Sequence, residues 1–268
     1  MTISRLFSRT VRYGGHRDQV ADLHLPSDAS AAEPVPLVML LHGGYWRAGA
    51  DRAHVTVLAE DLAGRGFAVA NVEYRRVGAG GGWPGTFQDV AAAADLLPDL
   101  VAEASGGRVD LDRIVYLGHS AGGQLALWTA VRHRMRPGAG ADADVAGWST
   151  PARLAGVVAL APAADLAWAN DLGSGRGAVA ELLGGGPQEF PDRYAAVDPA
   201  VLGAGDVPIV VVHGHCDESL PVEMARRYAD SVGAELVALA DADHFDLIDP
   251  ESTAWPQIVN ALQELTRP

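Results

Sequence analysis

A serine, an aspartate and a histidine occur in this 268-residue chain in an order that suits nucleophilic catalysis. Ser120 lies in "GHSAG", directly after the apolar run "RIVYL". A hydroxyl is a weak nucleophile until a base takes its proton, and an acid must orient that base. Asp217, in "HGHCDESLP", and His244, in "DADHFDLID", follow later apolar runs. The order Ser, Asp, His is expected when such a triad lies at the carboxyl ends of parallel strands.

The glycines around Ser120 fit a sharp turn from a strand into a helix. Such a turn strains the serine backbone and brings the residues two before and two after it into near contact, where only very small residues fit. Gly118 and Gly122 meet that requirement. The alternative is an ordinary strand-to-helix turn, because a five-residue pattern also arises by chance.

A second glycine-containing loop, "LLHGGYWRAG", follows the apolar run "PLVML". A negatively charged tetrahedral intermediate needs backbone N–H groups aimed at it, and successive glycines let the chain curl to provide them. We expect Gly43 and Gly44 to supply such donors, together with the N–H of Ala121 at the start of the helix after the serine. The alternative is a flexible turn without a chemical role.

The segment "HGHCD" raises a competing hypothesis, a metal site. His213, His215 and Asp217 have the HxHxD spacing found in metallo-β-lactamase-like zinc sites. Glu218 stands where that motif needs another histidine, and the segment comes late in the chain. We therefore predict no metal and no cofactor, with His213 at the end of a buried strand and His215 packed near the loop of the acid.

Composition excludes several classes of function. The chain has no lysine, which removes Schiff-base chemistry, a Ser-Lys dyad and a P-loop, and its net charge of -14 disfavours nucleic acid and anionic membranes as partners. Cys216 is the only cysteine, so no internal disulfide forms, and we expect it to be a small packed side chain. With no signal-peptide pattern and no long apolar run, we expect a cytoplasmic protein.

The elements that must position these residues form an α/β pattern. Short apolar runs bounded by Gly or Pro alternate with helix-length stretches, which predicts buried parallel strands in a doubly wound sheet with helices on both faces. The runs cover residues 36–41, 67–72, 113–118, 154–161 and 207–214. The alternating segment 20–25 predicts an antiparallel strand at the sheet edge. We expect a single domain over 1–268, with a loop at 136–152 and an inserted candidate lid at about 166–206.

The chain resembles the α/β-hydrolase superfamily, in the esterase and lipase branch marked by HGG ahead of GHSAGG. Within it, "HGGYWR", "GHSAGG" and "DHFDLI" are similar to the kynurenine formamidase (arylformamidase) type. This resemblance implies an α/β-hydrolase fold with Ser120 as nucleophile, His244 as base and Asp217 as orienting acid. It also places Gly43, Gly44 and Tyr45 near the oxyanion hole.

We therefore predict a serine hydrolase that cleaves a small ester or formamide through an acyl-enzyme. A general short-chain carboxylesterase and, from another class, a non-catalytic small-molecule receptor remain alternatives. Tyr45 and Trp46, with Trp83 and Trp168, are candidate substrate-binding aromatics, although isolated aromatics are more often core. The remaining candidates receive structural roles: Asp241, Asp243, Asp246 and Asp249 as caps or solvated charges, and His119 as support for the serine turn.

Overall fold

The computed structural model describes residues 7–135 and 154–267. The predicted loop at 136–152 lies outside the described residues. Of the helices in the described part of the chain, none combines the length and hydropathy that a membrane span requires.

A sheet of eight strands, ordered β1-β2-β4-β3-β5-β6-β7-β8, forms the centre of the structure. From β4 to β8 all neighbouring strands are parallel, whereas β2 pairs antiparallel with both β1 and β4. The strands are β1 Phe7–Arg12, β2 Val20–Leu25, β3 Val35–Leu41, β4 Ala68–Val72, β5 Val109–His119, β6 Leu154–Leu160, β7 Ile209–Gly214 and β8 Glu235–Leu239.

The apolar runs of the sequence coincide with strands β3 to β7, which confirms the predicted mostly parallel sheet. The prediction for residues 20–25 is right about the antiparallel strand and wrong about its position. The outer strand is β1, which pairs with β2 along its length and leaves β2 inside the sheet. Because four of the six residues in "FSRTVR" are polar and it has no apolar run, the sequence pattern did not identify it.

Helices cover both faces of the sheet, and successive residues of each strand supply the two cores. In β3, Leu37 and Met39 belong to one buried cluster and Val38 to the other, because side chains alternate across a strand. The first cluster includes residues of α2, α3 and α8, and the second includes residues of α1 and α9. The bounds are α1 Thr56–Gly64, α2 Gly85–Ser105, α3 Ala121–Val131, α8 Val222–Val232 and α9 Trp255–Leu265.

The connection between β6 and β7 contains four short helices, which occupy most of the predicted insertion at 166–206. They are α4 Leu166–Asp171, α5 Ala178–Leu183, α6 Pro191–Val197 and α7 Pro199–Leu202. Aspartate side chains cap two of them: Asp165 accepts the Trp168 N–H at 2.8 Å, and Asp198 accepts the Ala200 N–H at 3.1 Å. The segment therefore has regular local structure, and most of its apolar residues pack in the first core, whereas Leu172 and Val201 are exposed.

The topology brings the candidate residues to one edge of the sheet. β3 leads into His42 and the two glycines, β5 leads into Ser120, β7 leads into the loop of Asp217, and β8 leads into the loop of His244. Because these strands are mutually parallel, their carboxyl ends meet at the same edge.

Candidate active site

Ser120 forms a one-residue turn between β5, which ends at His119, and α3, which begins at Ala121. Its backbone has φ 56° and ψ −115°, a conformation that side-chain-bearing residues rarely adopt. The Ser120 N–H donates to the Leu160 carbonyl of β6 at 2.8 Å, which ties the strained residue to the sheet. Backbone strain of this kind costs about 1–3 kcal/mol and concentrates at functional sites.

The turn depends on the two neighbouring glycines. A Cβ on Gly118 would lie 2.1 Å from the Gly122 carbonyl oxygen, and a Cβ on Gly122 would lie 2.1 Å from the Leu41 carbonyl oxygen. These contacts are with backbone atoms, which cannot rotate away as a flexible side chain can. The close approach of β5, α3 and the end of β3 therefore requires glycine at both positions.

The loop after β3 lies directly against the serine. A Cβ on Gly43 would lie 3.0 Å from the His119 carbonyl oxygen and 3.3 Å from the Ser120 Cβ. Gly44 has φ 108°, and Tyr45 and Trp46 continue in the left-handed region at φ 56° and 55°. In this curled backbone Gly43 lies against the serine, whereas Gly44 lies against Ala50. The first N–H groups of α3 likewise have no helical carbonyl to bond, because four residues earlier the chain is not helical.

A buried charged network holds this loop in place. The His42 ring lies between two oxygen acceptors, with Nδ1 2.7 Å from the Gly43 carbonyl oxygen and Nε2 3.0 Å from Oε1 of Glu73. The Tyr74 ring stacks on it, with centroids 4.5 Å apart, and the Tyr74 hydroxyl donates to the His42 carbonyl at 2.7 Å. Burial alone would raise the pKa of Glu73, but the hydrogen bonds from His42 and the Arg52 N–H hold it below its usual value. Nothing in the sequence indicated that Glu73 contacts His42, because the two residues are 31 positions apart.

Asp217 and His244 form a short hydrogen bond, with Nδ1 of His244 2.6 Å from Oδ2 of Asp217. The other carboxylate oxygen accepts the Ser219 N–H at 2.7 Å and the Leu220 N–H at 2.9 Å. The bond at Nδ1 fixes the orientation of the ring, because Nδ1–H must donate to the carboxylate. His244 is 5% exposed, so the pair is largely shielded from water.

His213, treated above as a strand-end residue, is a second histidine on the same acid. It is fully buried in β7, with Nε2 3.1 Å from Oδ2 of Asp217 and 3.0 Å from the Leu220 carbonyl oxygen. Burial alone would raise the pKa of Asp217, but the hydrogen bonds from His213 and His244 hold it well below its usual value. The carboxylate therefore stays charged at neutral pH. In the sequence, only the spacing of four residues between His213 and Asp217 indicated that the two side chains could meet.

His119 links the serine turn to the loop of His244. Its Nε2 lies 2.9 Å from the His244 carbonyl oxygen, so this nitrogen donates, and the two rings lie 4.6 Å apart. Burial, with a smaller contribution from His244, lowers the pKa of His119 to about 3. The neutral ring therefore gives the structural support expected for it and holds the two loops at a fixed spacing.

A small, mostly apolar cavity, partly open to solvent, lies beside the serine. Its lining residues are Tyr45, Trp46, Ser120, Ala121, Ala163, Ala169, Ser174, Val179 and Leu220. Tyr45 and Trp46 thus lie where sequence analysis expected substrate-binding aromatics. The other two aromatics pack elsewhere: Trp83 lies 5.9 Å from the Phe87 ring, and the Arg227 guanidinium lies 4.7 Å over Trp168.

The remaining candidates have structural surroundings. Asp243 and Asp246 brace the loop of His244, because Asp243 accepts the Phe245 N–H at 2.7 Å and Asp246 accepts the Asp243 N–H at 2.8 Å. The expectation of a packed Cys216 is wrong, since the residue is exposed on the turn after β7. His215 is also exposed rather than packed. Within residues 7–135 and 154–267, no group of three or more His, Cys, Asp or Glu side chains could hold a metal ion.

A protein-family model covers most of the α/β core. The family model BD-FAE matches residues 21–231, from β2 to α8. The chain belongs to the BD-FAE family. An isoprenylcysteine α-carbonyl methylesterase of Arabidopsis thaliana is 28% identical over 261 residues, which are 91% of this BD-FAE chain and 58% of that protein. A non-reducing polyketide synthase of Preussia isomera is 35% identical over 143 residues, which are 49% of this chain and 6% of that protein.

Solved structures confirm the α/β-hydrolase fold of this BD-FAE member. A truncated carbohydrate esterase from gut microbiota superposes with a TM-score of 0.79 at 22% identity, over 97% of this chain and 96% of that one. A thermophilic esterase of Thermogutta terrifontis with bound propionate superposes with a TM-score of 0.70 at 24% identity, over 96% of this chain and 92% of that one. At these identities the likeness shows the fold.

The crowding at the serine turn predicts that Gly122→Ala lowers stability. The added methyl would overlap carbonyl oxygens of the chain after β3, at a cost of about 1–3 kcal/mol for overpacking. The melting temperature of this variant should therefore be several degrees below that of the wild type. Gly64→Ala, at the end of α1 with open space around the Cβ position, is the control and should leave the melting temperature unchanged or slightly raised. Equal melting temperatures for the two variants would contradict the packing argument.

The neutral His119 predicts a pH-dependent contribution to stability. Its pKa is lower in the folded chain than the usual 6.5, so its contribution is present above about pH 6.5 and is lost as the pH falls toward about 3. At about pH 5 the loss amounts to about 2 kcal/mol. Between about pH 7 and about pH 5, the free energy of unfolding measured with urea should therefore decrease more for the wild type than for His119→Gln. Identical decreases would show that His119 titrates normally in the fold.

Proposed function

We propose that the chain is a serine hydrolase that cleaves small esters through an acyl-enzyme. Ser120 is the nucleophile, His244 the general base and Asp217 the acid that orients it. The observation that carries the proposal is the strained serine turn, joined by His119 to the loop in which His244 makes its short hydrogen bond to Asp217. A binding protein has no need of a strained serine with a buried, carboxylate-bound histidine next to it, which disfavours the receptor alternative.

The arrangement accounts for each step of acyl transfer. His244 takes the Ser120 proton as the hydroxyl oxygen attacks the carbonyl carbon, and the ionised Asp217 stabilises the imidazolium that forms. Backbone N–H groups of Gly43 or Gly44 and of Ala121 stabilise the oxyanion. The imidazolium then gives its proton to the departing alcohol. Water, activated by the same histidine, releases the acid and regenerates the serine.

The cavity favours a short acyl group. Apart from Tyr45 and Trp46, its lining is mostly small or aliphatic, and the empty volume of about 280 Å³ includes space open to solvent. A general short-chain carboxylesterase therefore fits the site. The similar proteins named as esterases support the ester class. The chain spans 58% of the length of the methylesterase.

Hydrolysis of a formamide with an aromatic leaving group, as in kynurenine formamidases, is a second candidate because of Phe245. Its ring is 58% exposed and stands perpendicular to the His244 ring, with centroids 5.3 Å apart. The leaving group must lie near His244, since it receives a proton from that ring. An aromatic leaving group would find an apolar surface there, on which its ring could pack.

Replacing the nucleophile tests the main proposal. We expect Ser120→Ala to reduce kcat/KM for p-nitrophenyl acetate by at least about a thousandfold, and Asp217→Asn to lower kcat by a similar factor. Asp249→Asn, in the exposed turn after the loop of His244, is the matched control and should be unaffected. Full activity of Ser120→Ala would rule out the mechanism.

The formamide candidate is tested with N-formylkynurenine. If the aromatic product leaves across Phe245, Phe245→Ala should reduce kcat/KM for this substrate by about tenfold, the value of one lost aromatic contact. Hydrolysis of ethyl acetate, which has no aromatic leaving group, should change little. Val57→Ala, at a similarly exposed apolar position on α1, is the control variant. Turnover of esters without any turnover of N-formylkynurenine would eliminate this candidate and leave the esterase proposal standing.

A further inference from the structure

The Arg47 side chain joins the loop after β3 to the inserted helices. Arg47 directly follows Tyr45 and Trp46, and its Nε donates to Oε2 of Glu181 in α5 at 2.6 Å. Its Nη1 donates to the Gly175 carbonyl at 2.6 Å, and its Nη2 to the Arg176 carbonyl at 3.4 Å. We call this set of contacts the Arg47 tether. It holds the start of α5 and the turn that precedes it.

The tethered segment is also one wall of the cavity beside the serine. Ser174 precedes the tethered turn and Val179 follows it, and both line the cavity together with Tyr45 and Trp46 of the loop that carries Arg47. The Tyr45 ring packs on Gly175 so closely that a Cβ there would lie 2.3 Å from the ring. Gly175 and Arg176 both have left-handed backbones, with φ 58° and 56°. The tether therefore fixes the distance between the two walls.

Other contacts hold the rest of the insertion independently of Arg47. From α3, Gln124 donates to the Val197 carbonyl at 2.9 Å, which fixes the end of α6. At the far end of α5, the Trp83 N–H donates to the Leu182 carbonyl at 2.7 Å. Without Arg47, α5 would remain attached at its carboxyl end, while its start would keep its apolar packing but lose the hydrogen bonds that fix its distance from the loop after β3.

We propose that Arg47 is a positioning residue that sets the depth of the cavity and so restricts the acyl group to a short apolar chain. The proposal rests on the proposed serine hydrolase and adds the feature that limits its substrate. Arg47 and Glu181 are both partly exposed, with 31% and 49% of their side chains accessible, so the pair contributes little to global stability. The Arg47 tether instead sets the position of the cavity wall that contains Ser174 and Val179.

Chain-length selectivity provides the test. We would measure kcat/KM of full-length wild type, Arg47→Ala, Glu181→Ala and the double variant with p-nitrophenyl acetate, butyrate and octanoate. The octanoate-to-acetate ratio should rise at least about tenfold in Arg47→Ala, because a hydrophobic pocket discriminates by such factors per methylene. Glu181→Ala should shift the ratio in the same direction. On a logarithmic scale, the change in the ratio for the double variant should not exceed the sum of the changes for the two single variants, because both substitutions break one contact set.

Arg65→Ala is the matched control, because it breaks a partly exposed Arg–Asp pair on α1, away from the cavity. Its ratio should equal that of the wild type. An unchanged ratio in Arg47→Ala with ester hydrolysis intact, or an equal loss for all three esters, would overturn the tether proposal. Both outcomes differ from failure of the proposed function, in which wild type and Ser120→Ala would be equally inactive toward every ester.

Discussion

The reversal of the chain at Ser120 is the constraint on which the rest of the site depends. A residue at φ 56° between a strand and a helix is stable only where the surrounding backbone holds it, and here β5, α3 and the end of β3 approach so closely that a methyl group fits at neither Gly118 nor Gly122. That approach also brings the loop of Gly43 against the serine. The nucleophile and the backbone N–H groups beside it are therefore products of one packing arrangement.

Buried polar contacts then align the other loops with the serine. Asp217 collects donors from His244, His213 and two backbone N–H groups, which keep the carboxylate charged although it is buried. The His119 ring joins the serine turn to the His244 carbonyl, and the His42 ring joins Glu73 to the Gly43 carbonyl. Each contact satisfies a group that would otherwise be costly to bury, so the network is both structural and preorganising.

Sequence alone predicted the elements whose physics is local. Apolar runs identified β3 to β7, small residues around Ser120 identified the turn, and strand-end positions favoured Asp217 over Asp249 as the partner of His244. The remainder depends on contacts between distant segments. Arg47 lies 134 residues from Glu181, and the partner of His42 is on another strand, so neither has a periodic signal. Strand β1 and exposed Cys216 were misjudged because their settings depend on neighbouring elements rather than on their own composition.

The most direct measurement of an activated Ser120 is its covalent reaction with a fluorophosphonate. The serine oxygen bonds to phosphorus as fluoride leaves, and tandem mass spectrometry identifies the modified residue. We expect one adduct per chain, on Ser120. We expect no adduct in His244→Gln, where the serine is present but its base is absent. Labelling of another residue in the wild type, or equal labelling of Ser120 in His244→Gln, would contradict this expectation.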